Sequence, residues 1–405
     1  MERVNISSEV EAIFTFKWKS EFGLHEENYF CKINVWRDLD LLPEKLKEQL
    51  MGRENGETFS VFFKGGELFP YSDENIIEVE SKQFNPPKPF KLLKPRLGRF
   101  YPLGFFQGLA GVFSVNCSPA RIIGIDNEKS KLTIDTNIPI AKYDVNLTIF
   151  IKKIVKELSE IGGECKNWCL LPLETGPGMQ VRFDGIVTDF EFDNSERFKR
   201  EDETEDSIFY KEPRITTHID SQCNENLIEL YNRILPREGK VLDLLSSFQS
   251  HFPENREFYV IGLGLNDDEM KQNRSLNEWV IHDINKNPEL PFNDKEFDVV
   301  VCDLSIDYIT NPFDVVKEIR RVLKPDGVLT FSFSNRYFPP KVIKLWTDLH
   351  DFERMGYVLE VLLRNGGFKQ FQTFSYRGYR RPYDDKHFGC TFLSDPLYVV
   401  YAKKA

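Results

Sequence analysis

Short runs in which apolar and polar residues alternate fill most of the chain up to about residue 155. Alternation over four to eight residues, bounded by turn-forming residues, is typical of strands with one buried face. Gly65–Gly66 and Asp126–Asn127 supply such turns. We therefore predict an antiparallel β-rich region with strands at AIFTFKW (12–18), NYFCKINVW (28–36), TFSVFF (58–63), ARIIGI (120–125), KLTID (131–135) and VNLTIFIKKI (145–154).

One amphipathic helix interrupts these predicted strands. Leu42, Leu46 and Leu50 recur at four-residue spacing, which places them on one face of a helix. Gly52 stands where a glycine commonly ends a helix. The first part of the chain therefore belongs to the α+β class.

The pattern changes at about residue 156. Residues 156–215 contain a Gly-Pro-Gly turn at 176–178 and the charged run NSERFKREDETEDSIFYKEPR at 194–214. A run of charges is usually a solvated linker, but Phe209 and Tyr210 inside it suggest that it also docks onto a domain surface. We interpret 156–215 as a connector and lid segment.

Helical and strand patterns alternate from about Leu227 onward. Strands spaced by helices of this length form βαβ units and hence a doubly wound parallel sheet, with a ligand crevice at the carboxyl ends of the strands. We predict an α/β domain over 216–405, with strands KVLDLL (240–245), EFYVIGLGL (257–265), FDVVVCDLS (297–305) and VLTFSFS (328–334), and with DPLYVVYAKK (395–404) as an edge strand.

Composition and charge exclude some classes of partner. A length of 405 residues predicts two or three domains, and 41% hydrophobic with 29% charged residues is typical of a soluble globular protein. The 53 basic and 64 acidic side chains give a formal net charge of −11. Nucleic acid and anionic membranes are polyanions, so we expect neither as a partner.

The seven cysteines are scattered and lack the paired spacing of a zinc site, so we predict no metal. Unpaired thiols are typical of the cytoplasm or another reducing compartment. The start of the sequence, MERVNISSEVEAIFTFKW, lacks the basic residues and the continuous apolar core of a signal peptide. We therefore expect an intracellular protein.

Three stretches of the second half resemble class I methyltransferases that use S-adenosylmethionine. They are VLDLL at 241–245, DINKNPELPFNDKEFDVVV at 283–301 and EIRRVLKPDGVLTFSFSN at 318–335. The resemblance covers about 220–405 and implies a Rossmann-like sheet with S-adenosylmethionine as cofactor. It also implies that Asp243 orders the first loop, that Asp283 accepts the adenine amino proton and that Ile284 packs beside the adenine ring. Each aspartate alone would be interpreted as a strand-end cap or turn residue.

Two positions depart from this family's pattern. Ser246 and Ser247 stand where the family places a glycine-rich turn, whose flexible backbone lets the chain approach a ligand closely. Gly264 aligns with the family's acidic residue for the ribose hydroxyls and has no side chain to accept a hydrogen bond. Asn266 is the nearest possible replacement.

Candidate proton acceptors are His251 and His218, because a neutral imidazole can accept a proton near pH 7. A lone histidine is more often a hydrogen-bonded structural group. Methyl transfer from an activated sulfonium can also proceed by positioning alone. A related set of methyltransferase-like proteins resembles this chain in the altered turn followed by Ser250-His251 and in the segment DSIFYKEPRITTHID (206–220), which implies that the segment serves as a lid or brace.

The first half resembles FKBP-type peptidyl-prolyl isomerases of the SlyD-like branch. The resemblance rests on LLPEKLKEQLMGRENGETFSVFF (41–63), FPYSDENIIEVESKQF (69–84) and the stretch 98–154. It implies an FKBP-like domain over 1–155 with a small domain inserted in the flap at about 73–130. It also implies that Phe69 and Leu42 border a prolyl pocket, although Ile138 stands where the family usually has histidine. Ordinary core packing is the alternative for Phe69 and Leu42.

The run QGLAGVFSV (107–115) is typical of an exposed groove that binds unfolded polypeptides, as in a chaperone. The sequence thus predicts a SlyD-like isomerase or chaperone module fused to a methyltransferase, with polypeptide as client or substrate. Two alternatives remain open. The methyltransferase fold could serve as a non-catalytic scaffold, or prolyl isomerisation could be the sole activity.

Overall fold

A computed structural model describes residues 2–88, 90–155, 163–174 and 182–405. The chain divides into two compact units. The first comprises 1–190, 348–356 and 377–379, and the second comprises 191–347, 357–376 and 380–405. Parts of the predicted connector, 156–162 and 175–181 with its Gly-Pro-Gly turn, lie outside the described residues.

The first unit contains two antiparallel sheets, with strand orders β2-β1-β8-β3 and β4-β7-β6-β5. All six predicted strands are present within them. The strands are β1 (Glu9–Lys19), β2 (Gly23–Asn34), β3 (Thr58–Phe63), β4 (Ile76–Glu80), β5 (Phe100–Pro102), β6 (Pro119–Asp126), β7 (Lys131–Asp135) and β8 (Val145–Val155).

Alternation explains why these segments form strands. In β1 every second residue from Val10 to Trp18 is buried, which gives the sheet one apolar face. The helices of this part are α1 (Val35–Asp38), α2 (Glu44–Leu50) and α3 (Leu171–Glu174). The predicted helix is α2, which buries Leu46 and Leu50 and is followed by Gly52 at φ 79°.

Each sheet of the first unit has its own hydrophobic core. Phe69 and Leu42 belong to the core of the larger sheet, with 8% and 3% of their surface exposed. Neither residue lines the small cavity of about 10 Å³ beside Ile138. The structure therefore places both predicted isomerase residues in ordinary core packing.

The second unit contains a seven-stranded sheet in the order β11-β10-β9-β12-β13-β15-β14. The five strands from β11 to β13 run parallel, and β15 is antiparallel to both of its neighbours. These strands are β9 (Glu238–Leu244), β10 (Glu257–Gly264), β11 (Glu278–Ile281), β12 (Phe297–Asp303), β13 (Leu323–Phe333), β14 (Phe368–Arg377) and β15 (Leu397–Lys404).

The predicted edge position of the last strand is wrong, because β15 lies between β13 and β14. The sequence pattern did not indicate β14, whose alternation is interrupted at Gln370. That residue has φ 53°, and the pairing of β14 with β15 shifts between Lys369 and Gln372.

The remaining helices are α4 (Asp206–Phe209), α5 (Ser221–Ile234), α6 (Asp267–Met270), α7 (Pro312–Val322), α8 (Lys344–Asp348) and α9 (Asp351–Asn365). The side chain of Asp220 caps α5 by accepting from the Cys223 amide. Within the part of the chain that the structure describes, no helix combines the length and apolar character that a bilayer crossing needs.

The strand order sets the position of a ligand crevice. The chain passes from β9 to β10 on one side and later returns to β12 on the other side of β9. At such a switch point the loops after the two central strands separate, which opens a crevice at their carboxyl ends. Asp243 and Asp303, near the ends of β9 and β12, both line it.

Candidate active site

A cavity of about 580 Å³ lies in the second unit at the carboxyl ends of β9, β10 and β12. This volume is typical of sites for small molecules and cofactors. The structure brings together all the residues that sequence analysis predicted for the cofactor site, together with both candidate histidines. They are Asp243, Ser246, Ser247, Gly264, Asn266, Asp283, Ile284, His218 and His251.

Asp243 organises the loop that follows β9. One of its carboxylate oxygens accepts hydrogen bonds from Ser246 Oγ at 2.7 Å and Ser250 Oγ at 2.6 Å. Burial, followed by the charge of Asp303, raises the pKa of Asp243 to about 7, although the two serine hydrogen bonds lower it. We call Leu245–Ser250 the β9 turn.

The β9 turn begins with a backbone conformation that is usual for glycine, although the turn contains no glycine. Leu245 has φ 59°, in the left-handed region where a side chain crowds the backbone. The Ser246 amide then donates to the Leu263 carbonyl at 2.8 Å, which ties the turn to β10. Leu304, directly after β12, has φ 53° and also lines the cavity.

Gly264 lacks a side chain because the β9 turn occupies that space. A Cβ atom at this position would lie 2.2 Å from the Ser246 carbonyl oxygen. No carboxylate could therefore be accommodated here without moving backbone.

Asn266 does not offer a free replacement for that carboxylate. Its Oδ1 accepts from the Glu269 amide at 3.0 Å and so caps α6. Its Nδ2 donates to the carbonyls of Tyr210 at 2.9 Å and Lys211 at 3.0 Å. These bonds give Asn266 a structural role.

Glu269 is a carboxylate at this side of the cavity that sequence analysis missed. Its Oε1 accepts from the Arg214 amide at 2.6 Å, and burial raises the pKa of Glu269. The acidic run after β10, Asp267–Glu269, was the available signal, but the alignment directed attention to Gly264.

Asp283 and Ile284 line the cavity just beyond β11. Asp283 Oδ1 accepts from the amides of Asn285 at 3.0 Å and Lys286 at 3.1 Å, which forms a turn. Ile284 is buried beside it. A carboxylate next to an apolar side chain matches the chemistry that the resemblance implies for an adenine site.

Asp303, at the end of β12, is a second missed residue. Its Oδ1 accepts from Tyr231 Oη and from Ser332 Oγ at 2.6 Å. Its Oδ2 is buried and has no hydrogen-bond partner among the described residues. A buried carboxylate oxygen with no protein donor in a cavity is suited to a ligand that carries a donor or a positive charge.

The two candidate histidines are both neutral at pH 7. Burial lowers the pKa of His251, whose Nδ1 lies 2.6 Å from Asn224 Oδ1. Burial, followed by smaller contributions from His251, Lys386 and Arg214, lowers the pKa of His218 to about 4. Both can therefore accept a proton from a ligand, but His251 also has the hydrogen bond of a structural group.

Residues 206–219 form one wall of the cavity, and we call this segment the strap. Asp206 anchors it through ion pairs with Arg200 at 2.7 Å and Lys341 at 3.1 Å and through a bond from Asn285 Nδ2 at 2.9 Å. Phe209 and Tyr210 lie in this segment and pack against Arg214.

A buried network fixes the loop between β14 and β15, which contributes Lys386 and His387 to the cavity. Arg381 pairs with Asp385 at 2.7 Å and Asp395 at 2.9 Å. Arg336 pairs with the same two aspartates at 3.1 and 2.8 Å.

The residues present fit S-adenosylmethionine in part. Buried carboxylate oxygens suit a cationic cofactor, and Asp283 with Ile284 suits an adenine. The closed space at Gly264 opposes the usual ribose contact. Among the described residues, no group of three or more His, Cys, Asp or Glu could hold a metal ion.

Comparison with known proteins shows what part of this unit resembles. Residues 247–331 match the family described as "Methyltransferase domain". A 66-residue stretch is 35% identical to malonyl-[acyl-carrier protein] O-methyltransferase of Marinomonas sp. (strain MWYL1), covering 16% of this chain and 24% of the relative. The match thus spans about a quarter of that relative's length.

Solved structures show a similar extent of likeness. An S-adenosylmethionine-dependent methyltransferase from Archaeoglobus fulgidus is 16% identical, with a TM-score of 0.32, covering 45% of this chain and 94% of its own. One from Mesorhizobium loti is 15% identical, with a TM-score of 0.29, covering 44% and 96%.

The C-terminal half therefore contains a stretch that matches a methyltransferase domain. Nothing in these comparisons identifies an FKBP domain in the N-terminal part, which is β-rich. The predicted isomerase module is unsupported.

Proposed function

We propose that the chain is a methyltransferase that binds S-adenosylmethionine in the 580 Å³ cavity of its second unit. The observation that carries this proposal is the position of the cavity at the switch point between β9 and β12, within a domain of methyltransferase type. Five carboxylates line the cavity, those of Asp206, Asp243, Glu269, Asp283 and Asp303, and the buried Oδ2 of Asp303 is without a donor among the described residues, which suits a ligand that carries positive charge.

Each part of the cofactor has a candidate partner. Asp283 would accept from the adenine amino group while Ile284 packs beside the ring. Glu269 would replace the missing acid at Gly264 as acceptor for the ribose hydroxyls. The β9 turn, through Ser246 and Ser247, would border the methionine portion.

A bound S-adenosylmethionine would supply a methyl group already activated on its sulfonium. The chain's own contribution is then positioning, exclusion of water and the holding of a proton. Asp303, with its unpartnered Oδ2, would place negative charge near the cationic part of the cofactor. His218 and His251 are neutral and would accept a proton from an acceptor that must lose one.

Calorimetric titration with S-adenosylhomocysteine tests this proposal. We expect a dissociation constant in the micromolar range, about −8 kcal/mol. Asp283→Ala should weaken binding at least tenfold, whereas Asp268→Ala, with a 71% exposed side chain outside the cavity, should not change it. No heat and no thermal shift at millimolar ligand would instead favour a non-catalytic scaffold.

A second function, polypeptide binding by the first unit, is favoured by one exposed loop. Phe113 and Val115 are 75% and 82% exposed, whereas Phe105 and Phe106 are buried. A Cβ at Gly104 would lie 2.6 Å from the Ser114 carbonyl, so this glycine allows the loop to pack closely. Large exposed apolar side chains often mark interaction sites.

Fluorescence anisotropy with a reduced and alkylated unfolded polypeptide tests this second function. Phe113→Ser with Val115→Ser should weaken binding at least fivefold. Leu24→Ser, at a 52% exposed residue of β2, is the matched control and should bind as the parent chain does. Equal binding by all three proteins would contradict the assignment.

A further inference from the structure

Arg214 of the strap carries a guanidinium that packs on aromatic rings, and its charge acts on the nearby Glu269, whose pKa it lowers against the larger effect of burial. It lies over the rings of Phe209 at 4.5 Å, Tyr210 at 5.3 Å and Phe338 at 5.1 Å. Its Nη1 is buried and has no hydrogen-bond partner within the part of the chain that the structure describes. Among the described residues, no carboxylate lies within ion-pair distance of it, and the residue lines the cavity.

Arg336, the other arginine that lines the cavity, forms ion pairs of a kind that Arg214 does not form among the described residues. Arg336 pairs with Asp385 at 3.1 Å and Asp395 at 2.8 Å. Arginine stays ionised at any ordinary pH, and a buried cationic donor without an acceptor is costly. The three rings around Arg214 hold the plane of its guanidinium, so the N–H groups at its edge are left for a planar anion.

Lys386 adds a second cation to the same cavity. It is exposed and forms no ion pair within the described chain, and it directly follows Asp385, which Arg336 and Arg381 hold in place. His218 packs edge-on against Phe338 at 5.9 Å, so it shares a ring with Arg214. Arg214 and Lys386 are both close enough to His218 to lower its pKa, so the two cations lie on the same side of the cavity, while Asp243 and Asp303 lie at the ends of β9 and β12.

This inference rests on the proposed methyltransferase function. We propose that Arg214 and Lys386 form a carboxylate-binding subsite for the methyl acceptor, so that the acceptor is an organic acid. The carboxylates at the strand ends then face the cationic cofactor, and the two cations face the anionic acceptor. Tyr210, Tyr308 and Phe338 also line the cavity and suit an apolar body on the acid.

A pair of probes of nearly equal shape tests the charge of this subsite. The full chain is first saturated with S-adenosylhomocysteine and then titrated with phenylacetate or with phenylacetamide, followed by calorimetry or ligand-observed NMR. We expect the acid to bind at least tenfold more tightly than the amide. Arg214→Gln should abolish this preference, and Lys386→Gln should reduce it severalfold.

Arg233→Gln is the matched control. Its guanidinium also packs on an aromatic ring, that of Phe374 at 5.3 Å, but the residue does not line the cavity. This variant should keep the full preference for the acid. Arg214→Lys keeps the charge but not the planar donor edge and should retain part of the preference, which covers the case in which Arg214→Gln fails to fold.

Two results would overturn the inference. One is equal binding of acid and amide by the parent chain. The other is that Arg214→Gln weakens S-adenosylhomocysteine at least tenfold but leaves 5′-methylthioadenosine, which lacks a carboxylate, unchanged, because Arg214 would then serve the cofactor. Failure of the parent chain to bind S-adenosylhomocysteine in the first titration would instead reject the methyltransferase function.

Discussion

The carboxyl ends of β9 and β12 have similar backbones, but they differ in whether the aspartate there has a buried oxygen without a hydrogen-bond donor in the described chain. Each strand has an aspartate at or next to its last residue, and a leucine with left-handed backbone follows within two residues. Asp243 directs one oxygen to two serine hydroxyls of its own turn. Asp303 uses Oδ1 for Tyr231 and Ser332, and its Oδ2 has no donor within the described chain.

This difference separates a structural carboxylate from one available to a ligand. The β9 turn is closed by its own hydroxyls, by the bond from Ser246 to Leu263 and by the close approach of its backbone to Gly264. These contacts fix the path of the β9 turn without a glycine. Asp303, at the end of the neighbouring strand β12, carries the carboxylate oxygen that has no donor within the described chain.

The largest expected effect in this comparison is on the pH dependence of the free energy of unfolding. The pKa of Asp243 is about 7 in the folded chain, against an ordinary value near 3.8. Between these values the folded chain holds a proton that the unfolded chain releases, so raising the pH from about 4 to 7 destabilises the fold. The loss is at most about 1.4 kcal/mol per pH unit. Urea unfolding across this range should show it in the parent chain, and a slope equal to that of Asp243→Asn would contradict it.

Gly264→Ala should break the β9 turn. The new Cβ would meet the Ser246 carbonyl, which cannot move without disturbing the turn, so we expect a loss of about 3 kcal/mol in the free energy of unfolding. Gly262→Ala, on the same strand, would meet Leu276 Cδ1 at 2.7 Å, the far end of a flexible side chain. It should cost about 1 kcal/mol. Equal losses, measured by chemical denaturation, would show that the turn is not fixed by this contact.

Asp303→Asn should lower the pKa of Asp243. The charge of Asp303 is the second cause of the raised value, after burial, and asparagine can still accept from Tyr231 and Ser332. Carbon-detected NMR titration of the Asp243 carboxyl measures the shift. Asp283 lines the same cavity, and Asp283→Asn should leave the pKa of Asp243 unchanged. A similar shift in both variants would count against a specific coupling between Asp303 and Asp243.

Leu245→Gly tests the strain that both turns share. A left-handed leucine destabilises the fold by about 1 to 2 kcal/mol. Glycine removes this strain, but it destabilises the fold by roughly 0.5 to 1 kcal/mol because the unfolded chain gains conformational entropy. We expect a net gain of up to about 1 kcal/mol in the free energy of unfolding for Leu245→Gly and for Leu304→Gly. Thermal melting that shows a loss in both variants would mean that their side-chain contacts outweigh the strain.

Local pattern was sufficient for most elements of the fold. Alternation in β1 and four-residue spacing in α2 act within one segment, and the structure contains both. The position of β15 was not predictable in this way because strand order depends on contacts between distant segments. The bulge at Gln370 also removed the alternation that would have indicated β14.

The residues of the candidate site likewise divide into those that their order in the sequence revealed and those that only the structure revealed. Residues in the matched stretches, such as Asp243 and Asp283, were found because their order in the chain was informative. Arg214 lay at the end of a charged run that is typical of a linker, and its significance comes from three rings, one of them far along the chain at Phe338. Asp303 became notable only when its second oxygen was found without a donor.

The place of β15 in the sheet bears on synthesis at the ribosome. Strand β14 is made before β15 but joins β13 only through it. During elongation β14 therefore has no partner on its β15 side, and the edge of β13 stays open. Nascent chains that have emerged to about residue 390 should accordingly be the species most dependent on chaperones.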